Sequence, residues 1–331
     1  MSGEILLEIK NLSARYVVGS SSIKVLRSVN LKITRGEKIV VVGESGSGKS
    51  TLASLIVRLE PDNLVLDSGT ALYKFNGQYI DLLKADDKLL SKIRGKEISM
   101  VFQNPSTSLN PVYTIGFQVS EALKLEKLAK GQLQEKIGGL LKTVKLPDPL
   151  RIARSYPHQL SGGQKQRAMI AIAISRTPKL IITDEPTSSL DVSVQAEILD
   201  LLRDINKRGS SIMMITHDIG VAYDFADLVV VMYGGMIVEI GRPGEIVESP
   251  YHPYTKYLVN SIPRGTKLSL ESTSNELDKN PAIIPFNGCP FHIVCPSCVK
   301  GLCDIKEPSP LRLDDRVVAC HRVGVKNYGG N

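Results

Sequence analysis

"KIVVVGESGSGKSTLASLIVRLE", Lys38 to Glu60, passes from an apolar run of strand length through a glycine-rich turn into a segment with helical spacing. Within it Gly43-Glu44-Ser45-Gly46-Ser47-Gly48-Lys49-Ser50 fits the phosphate-binding loop pattern. Glycines let backbone N–H groups wrap a phosphate, and the helix that follows turns its N-terminus toward the charge. In such a loop Lys49 contacts the β- and γ-phosphates and Ser50 a Mg²⁺ ion. The setting between strand and helix argues against a merely flexible Gly-Ser loop.

Before this stretch, "EILLEIKNLSARY" (Glu4–Tyr16) and "SVNLKIT" (Ser28–Thr34) alternate apolar and polar residues as half-buried strands do. "YKFNGQYI" (Tyr73–Ile80) carries Asn76-Gly77, a tight-turn signal between two short strands. After it, "KEISMVFQ" (Lys96–Gln103) reads as a strand, and residues 112 to about 176 read as mainly helical. "LIITDE" (Leu180–Glu185), "SIMMITHD" (Ser211–Asp218) and "LVVVMY" (Leu228–Tyr233) are buried-strand candidates separated by helical stretches. That alternation predicts an α/β fold with a largely parallel sheet, its working residues at strand C-terminal ends.

Asp184 ends one such strand, placed to hold Mg²⁺ through water, and Glu185 after it is placed to polarise an attacking water. Leu160-Ser161-Gly162-Gly163-Gln164 opens a helix and offers a second set of N–H groups to phosphate. The plain alternative there is an N-capped helix start. Two cradles in one chain imply that the second serves a nucleotide held by a partner.

The chain has 331 residues, 42% apolar and 23% charged, with a formal net charge of +7. This is globular composition, and the basic residues are dispersed. No segment approaches the ~20 apolar residues of a membrane span, and the N-terminus lacks a secretory pattern, so a cytosolic chain is expected. All five cysteines fall between Cys289 and Cys320. In a reducing compartment such a cluster reads as a metal site or redox pair before it reads as disulfides. Cys295 and Cys298 have C-x-x-C spacing, which suits zinc, and His292 or His321 could complete a tetrahedron.

Residues 5 to about 262 resemble the ATP-binding subunit of an ABC transporter. The resemblance implies a P-loop α/β core with antiparallel β and helical subdomains, and binding of ATP and Mg²⁺. Gly43, Glu44, Ser45, Gly46, Ser47, Gly48, Lys49, Ser50 and Thr51 match the Walker A loop, Ile181–Glu185 the Walker B strand, and Ser188–Asp191 the D-loop. Gln103 matches the Q-loop glutamine, a further Mg²⁺ contact; Ser161, Gly162, Gly163 and Gln164 match the signature motif. His217 matches the switch histidine that contacts the γ-phosphate, and Tyr16 the aromatic that stacks on adenine. Such stacking contributes ~1–3 kcal/mol in base-binding sites.

"FQNPSTSLNP", "SYPHQLSGGQKQR", "TSSLDVSVQAEIL" and "SPYHPYTKYLVNSIP" are similar to the di- and oligopeptide importer ATPases, some of whose relatives serve oligosaccharides. That implies a second ATPase subunit, two transmembrane permease subunits, an extracellular substrate-binding protein, and a peripheral place on the cytoplasmic face of the membrane. Nucleic acid, the partner of soluble ABC ATPases, is not expected: neither an inserted coiled coil nor a second cassette is present. The expected organisation is an ATPase domain over 1–262 with a helical subdomain at about 112–176, a linker over 263–284, and a cysteine-bearing extension over 285–331. In the family that extension resembles an iron–sulfur site, which implies Cys289, Cys295, Cys303 and Cys320 as ligands of one [4Fe–4S] cluster, Cys298 as spare, and Zn²⁺ as the alternative.

Overall fold

The structure, a computed structural model, describes residues 3–188, 190–261 and 287–323. The expected linker lies outside the described residues.

Two antiparallel strands open the chain, β1 (Ile5–Val18) and β2 (Ser21–Thr34). With β4 (Leu64–Phe75) and β5 (Gln78–Asp81), turned at Asn76-Gly77, they form a four-stranded sheet in the order β2-β1-β4-β5. The predicted alternation holds, since Val29, Leu31 and Ile33 of β2 are all buried.

The second sheet has eight strands in the order β11-β12-β10-β9-β3-β8-β7-β6. Five neighbouring strands, running to the β6 edge, are parallel: β3 (Lys38–Val42), β6 (Ile98–Val101), β7 (Leu180–Asp184), β8 (Ser211–Thr216) and β9 (Leu228–Tyr233). These strands are unbroken apolar runs because both faces are covered. Ile39 and Val41 enter one core with β1 and β2, while Val40 and Val42 enter the other with the helices. The same pleat divides Ile182 from Ile181, Met213 from Met214 and Val230 from Val231.

Helix α1 (Lys49–Val57) follows β3, and α2 (Asp87–Ile93) precedes β6. Between β6 and β7 stand α3 (Pro105–Ser108), α4 (Ile115–Leu123), α5 (Lys130–Thr143), α6 (Pro149–Arg154) and α7 (Gly162–Ile174). Then come α8 (Val192–Lys207), capped by Asp191, and α9 (Ile219–Phe225), capped by Asp218. The chain continues through β10 (Met236–Gly241), α10 (Pro243–Glu248) and α11 (Pro253–Asn260). No helix among the described residues is long and apolar enough to cross a membrane.

The cysteine-bearing extension does not hang free of this frame. Its hairpin, β11 (Leu311–Leu313) and β12 (Arg316–Val318), adds to β10 and extends the large sheet. Glu239 of β10, fully buried, forms an ion pair with the buried Arg316 of β12 and accepts the N–H groups of Tyr251 and His252 at 3.0 and 2.9 Å. Arg316 also stacks over the Tyr251 ring at 3.9 Å.

Candidate functional site

At the C-terminal end of β3 the chain turns through Gly43–Gly48 into α1, whose start has no side-chain cap. Most other helices here carry an Asp, Asn, Thr or Ser cap; α1 leaves its first N–H groups available to an anion. Gly48 stands at φ +97°, the left-handed region, and a Cβ there would lie 2.5 Å from the Val25 carbonyl oxygen. Lys49 folds back over the loop, its Nζ donating to the Gly43 and Glu44 carbonyls at 2.7 Å each. Burial lowers its pKa, opposed by the charges of Glu185, Asp184 and Glu44.

Asp184, at the end of β7, is buried, and burial raises its pKa against a hydrogen bond from Ser50. Its Oδ1 has no hydrogen-bond partner. A buried carboxylate oxygen left unpartnered beside a serine hydroxyl suits a hard cation, so Ser50 and Asp184 fit Mg²⁺.

Glu185 follows at φ +43°, a conformation that costs on the order of 1–3 kcal/mol and is common at working sites. It is held by its N–H bond to Ile215 O at 2.9 Å. The carboxylate is gripped from two sides: Gln103 Nε2 donates to Oε2 at 2.9 Å, and His217 Nδ1 stands 3.4 Å from Oε1. Residues from the ends of β6, β7 and β8 thus meet at one carboxylate.

A cleft of about 300 Å³ collects Tyr16, Ser45 through Thr51, Gln103 and Glu185. Tyr16 sits at its wall with its hydroxyl 3.3 Å from Thr51 Oγ1. The cleft has an aromatic side, an N–H-rich floor, a lysine and a positioned carboxylate, which suits a nucleoside triphosphate and its hydrolysis. A larger cavity, about 720 Å³, lies between β1–β2 and residues 307–317; its lining includes the Arg27–Glu307 and Lys32–Glu8 ion pairs but none of the Gly43–Ser50 loop.

Ser161–Gln164 is not brought into this cleft. Ser161 Oγ accepts the Gln164 N–H at 3.3 Å and Gln164 Oε1 accepts the Ser161 N–H at 3.1 Å, a reciprocal cap at the start of α7. Ser189 of the D-loop lies outside the described residues.

All five cysteines are free thiols. Cys289 and Cys303 are buried in the core beside the helices, and burial pushes the Cys289 thiol up to about 12. Cys289, Cys295 and Cys320 each feel the charge of other thiols in the set. Nevertheless, among the described residues no three His, Cys, Asp or Glu side chains form a group that could hold a metal ion. The expectation of a metal site in the extension, as iron–sulfur cluster or zinc, therefore finds no ligand group in this geometry. The histidines proposed for zinc each have a ring nitrogen at a backbone carbonyl: His292 Nδ1 at Cys289 O, 2.7 Å, and His321 Nε2 at Lys306 O, 2.8 Å.

Sequence reasoning missed Tyr254. Its hydroxyl accepts the Glu44 N–H at 2.9 Å, inside the phosphate loop. The two residues are 210 positions apart, and nothing in the spacing signals their contact.

Comparison with known proteins agrees with the geometry. Residues 26–188 match the family model described as ABC transporter, and residues 238–303 match that of the oligopeptide/dipeptide transporter C-terminal region. The dipeptide transport ATP-binding protein DppD of Bacillus subtilis (strain 168) is 39% identical over 96% of this chain and 94% of its own length. The oligopeptide transport ATP-binding protein OppD of Lactococcus lactis subsp. cremoris (strain SK11) is 40% identical over 86% and 82%. Among solved structures, the dimeric post-hydrolysis state of the ATP-binding cassette MJ0796, bound to ADP and Pi, superposes with a TM-score of 0.64 at 31% identity, covering 72% of this chain and 99% of that one.

Proposed function

The chain belongs to the family of ATP-binding proteins of peptide ABC transporters, and from that membership we propose that it is the ATP-hydrolysing motor subunit of an importer for di- or oligopeptides. The observation that carries the reading is the cleft in which Tyr16, the Gly43–Ser50 loop, Gln103 and Glu185 converge.

In this reading the loop amides and Lys49 hold the phosphates, and Tyr16 stacks on adenine. Ser50, Asp184 and Gln103 would hold Mg²⁺, which would supply charge neutralisation on the phosphate oxygens. Glu185, oriented by Gln103 and His217, takes a proton from the attacking water, and His217 reaches the γ-phosphate. Residues 1–262 act as the ATPase unit with a helical subdomain at about 112–176. Ser161–Gln164 sits away from the chain's own cleft, which supports its service to a nucleotide in a second ATPase subunit.

Gln103 is followed by an exposed stretch in which Val112, Tyr113 and Phe117 are 69%, 45% and 43% accessible, and the last two stack at 4.5 Å. An apolar patch that follows along the chain from a group touching Glu185 suits the two transmembrane permease subunits, with the chain peripheral on the cytoplasmic face and the extracellular binding protein reached only through them. The finer reading of the extension is one [4Fe–4S] cluster on Cys289, Cys295, Cys303 and Cys320, with Zn²⁺ as rival. Its support is the family region matched at 238–303, which takes in Cys289, Cys295 and Cys303. Iron with acid-labile sulfide in anaerobically purified protein is the expected result; zinc alone, or neither, overturns it.

The test of function is uptake. Cells whose only copy of this chain carries Glu185→Gln are expected to stop accumulating a labelled di- or tetrapeptide. Lost oligosaccharide uptake with intact peptide uptake would replace the substrate class, and ATPase stimulation by DNA or RNA would replace the transport reading.

A further inference from the structure

Pro290 and Phe291, the two residues after Cys289, each back a separate contact of the phosphate loop. Phe291, buried, lies 5.5 Å from the Tyr254 ring and edge-on to Tyr233 at 5.2 Å. Tyr254, itself inaccessible, accepts the Glu44 N–H at 2.9 Å. On the other flank Pro290 covers Gly234, which stands at φ +51°; a Cβ there would lie 2.5 Å from Pro290 Cβ, so only glycine permits the approach. The next residue, Gly235, donates its N–H to Ser47 O at 3.1 Å. Two loop residues three positions apart, Glu44 and Ser47, are therefore tied to groups that rest on consecutive residues of the cysteine region.

We infer that Tyr254 is a positioning residue for the phosphate loop, held against Glu44 by Phe291, so that the C-terminal cysteine region sets how well the loop accepts ATP. The inference rests on reading Gly43–Ser50 as the nucleotide loop. A hydrogen bond from a peptide N–H to a fixed acceptor holds the orientation of that peptide. In a loop that binds through its N–H groups, the orientation of Glu44 bears on where its neighbours point. Tyr254 forms no hydrogen bond with Gln103, Glu185 or His217, so its effect belongs to nucleotide affinity and not to the bond-breaking step. The extension, remote from the loop in sequence, is two contacts from it in space.

The test uses the full chain in a Glu185→Gln background, with Mg-ATP affinity read by isothermal titration. Lys49→Ala is expected to abolish binding; retained binding would overturn the nucleotide reading of the loop itself. Tyr254→Phe keeps the ring and removes the acceptor. It is expected to weaken Mg-ATP binding about three- to tenfold, the effect of one net hydrogen bond, while the melting midpoint without nucleotide falls by no more than about 4 °C. Without Glu185→Gln, the same change should raise KM by that factor and leave kcat within about twofold. Unchanged affinity for Tyr254→Phe while Lys49→Ala loses binding overturns the inference, as does a fall in kcat at unchanged KM. Should Tyr254→Phe not fold, Phe291→Leu decides: weaker binding by about two- to threefold supports the coupling, and parental affinity removes it.

Discussion

Gln103 Nε2 donates a 2.9 Å hydrogen bond to Glu185 Oε2 across 82 residues of sequence. The bond ties the end of β6 to the end of β7 at the carboxylate proposed to accept a proton from water. Because His217 Nδ1 approaches the other oxygen at 3.4 Å, Glu185 is fixed in direction before any nucleotide arrives. Glu185→Gln should leave ATP binding intact and slow hydrolysis by roughly 10²–10⁴, the contribution of a positioned base. Single-turnover hydrolysis checks this, and a parental rate would remove Glu185 from that role.

Gly48→Ala tests the loop from its backbone. The added Cβ meets Val25 O at 2.5 Å, and φ +97° disfavours any side chain. The loop can relieve this only by moving, so ATP binding should be lost and stability should fall by on the order of 1–3 kcal/mol. Titration calorimetry with denaturant unfolding reads both effects.

The Glu239–Arg316 pair joins β10 to β12 with both partners buried. Arg316→Met leaves a buried carboxylate without its counter-charge and should lower stability by about 3–5 kcal/mol. Glu239→Gln combined with Arg316→Met should recover part of that loss, because no buried charge remains. Urea unfolding of the single and double variants measures the coupling directly.

His252 caps α11 by accepting the Tyr254 N–H on Nδ1 at 3.0 Å, and burial depresses its pKa from 6.5 to about 3. The unfolded chain therefore binds a proton that the folded chain refuses, between pH 6.5 and 3. Stability from this group is complete above pH 6.5 and declines as the pH falls toward 3. His252→Asn keeps a capping acceptor without the titration, so its stability should depend less on pH across that window. Melting midpoints across the acid range provide the check, and an unchanged slope would remove His252 as the source.

The parallel sheet and the glycine-rich turn between β3 and α1 were legible in the sequence because both are local. Unbroken runs such as Leu180–Asp184 report burial on two faces, and glycine spacing reports a backbone that only glycine adopts. Asp184, Glu185, Gln103 and His217 were each readable at strand ends. Their convergence on one carboxylate is a property of neighbouring strands β6, β7 and β8, which no spacing along the chain encodes. The positive φ of Glu185 was likewise hidden, since glutamate carries no preference for it.

What the sequence determined by itself is the order of strands and helices in the parallel sheet, the glycine-rich turn after β3 and the residue types at the strand ends, all set by periodicity and by residues within a few positions of one another. What only the tertiary structure decided is where the C-terminal region goes. Its short strands have little identity of their own, and β12 is fixed by pairing with β10 and by the buried Arg316–Glu239 contact 77 residues apart. The Tyr254–Glu44 bond likewise exists only because packing of Phe291, Tyr233 and Tyr254 closes a distance of 210 residues. Contacts of that separation arise from burial of apolar surface, which is non-directional, so the chain's pattern tells which residues are buried but not which of them meet.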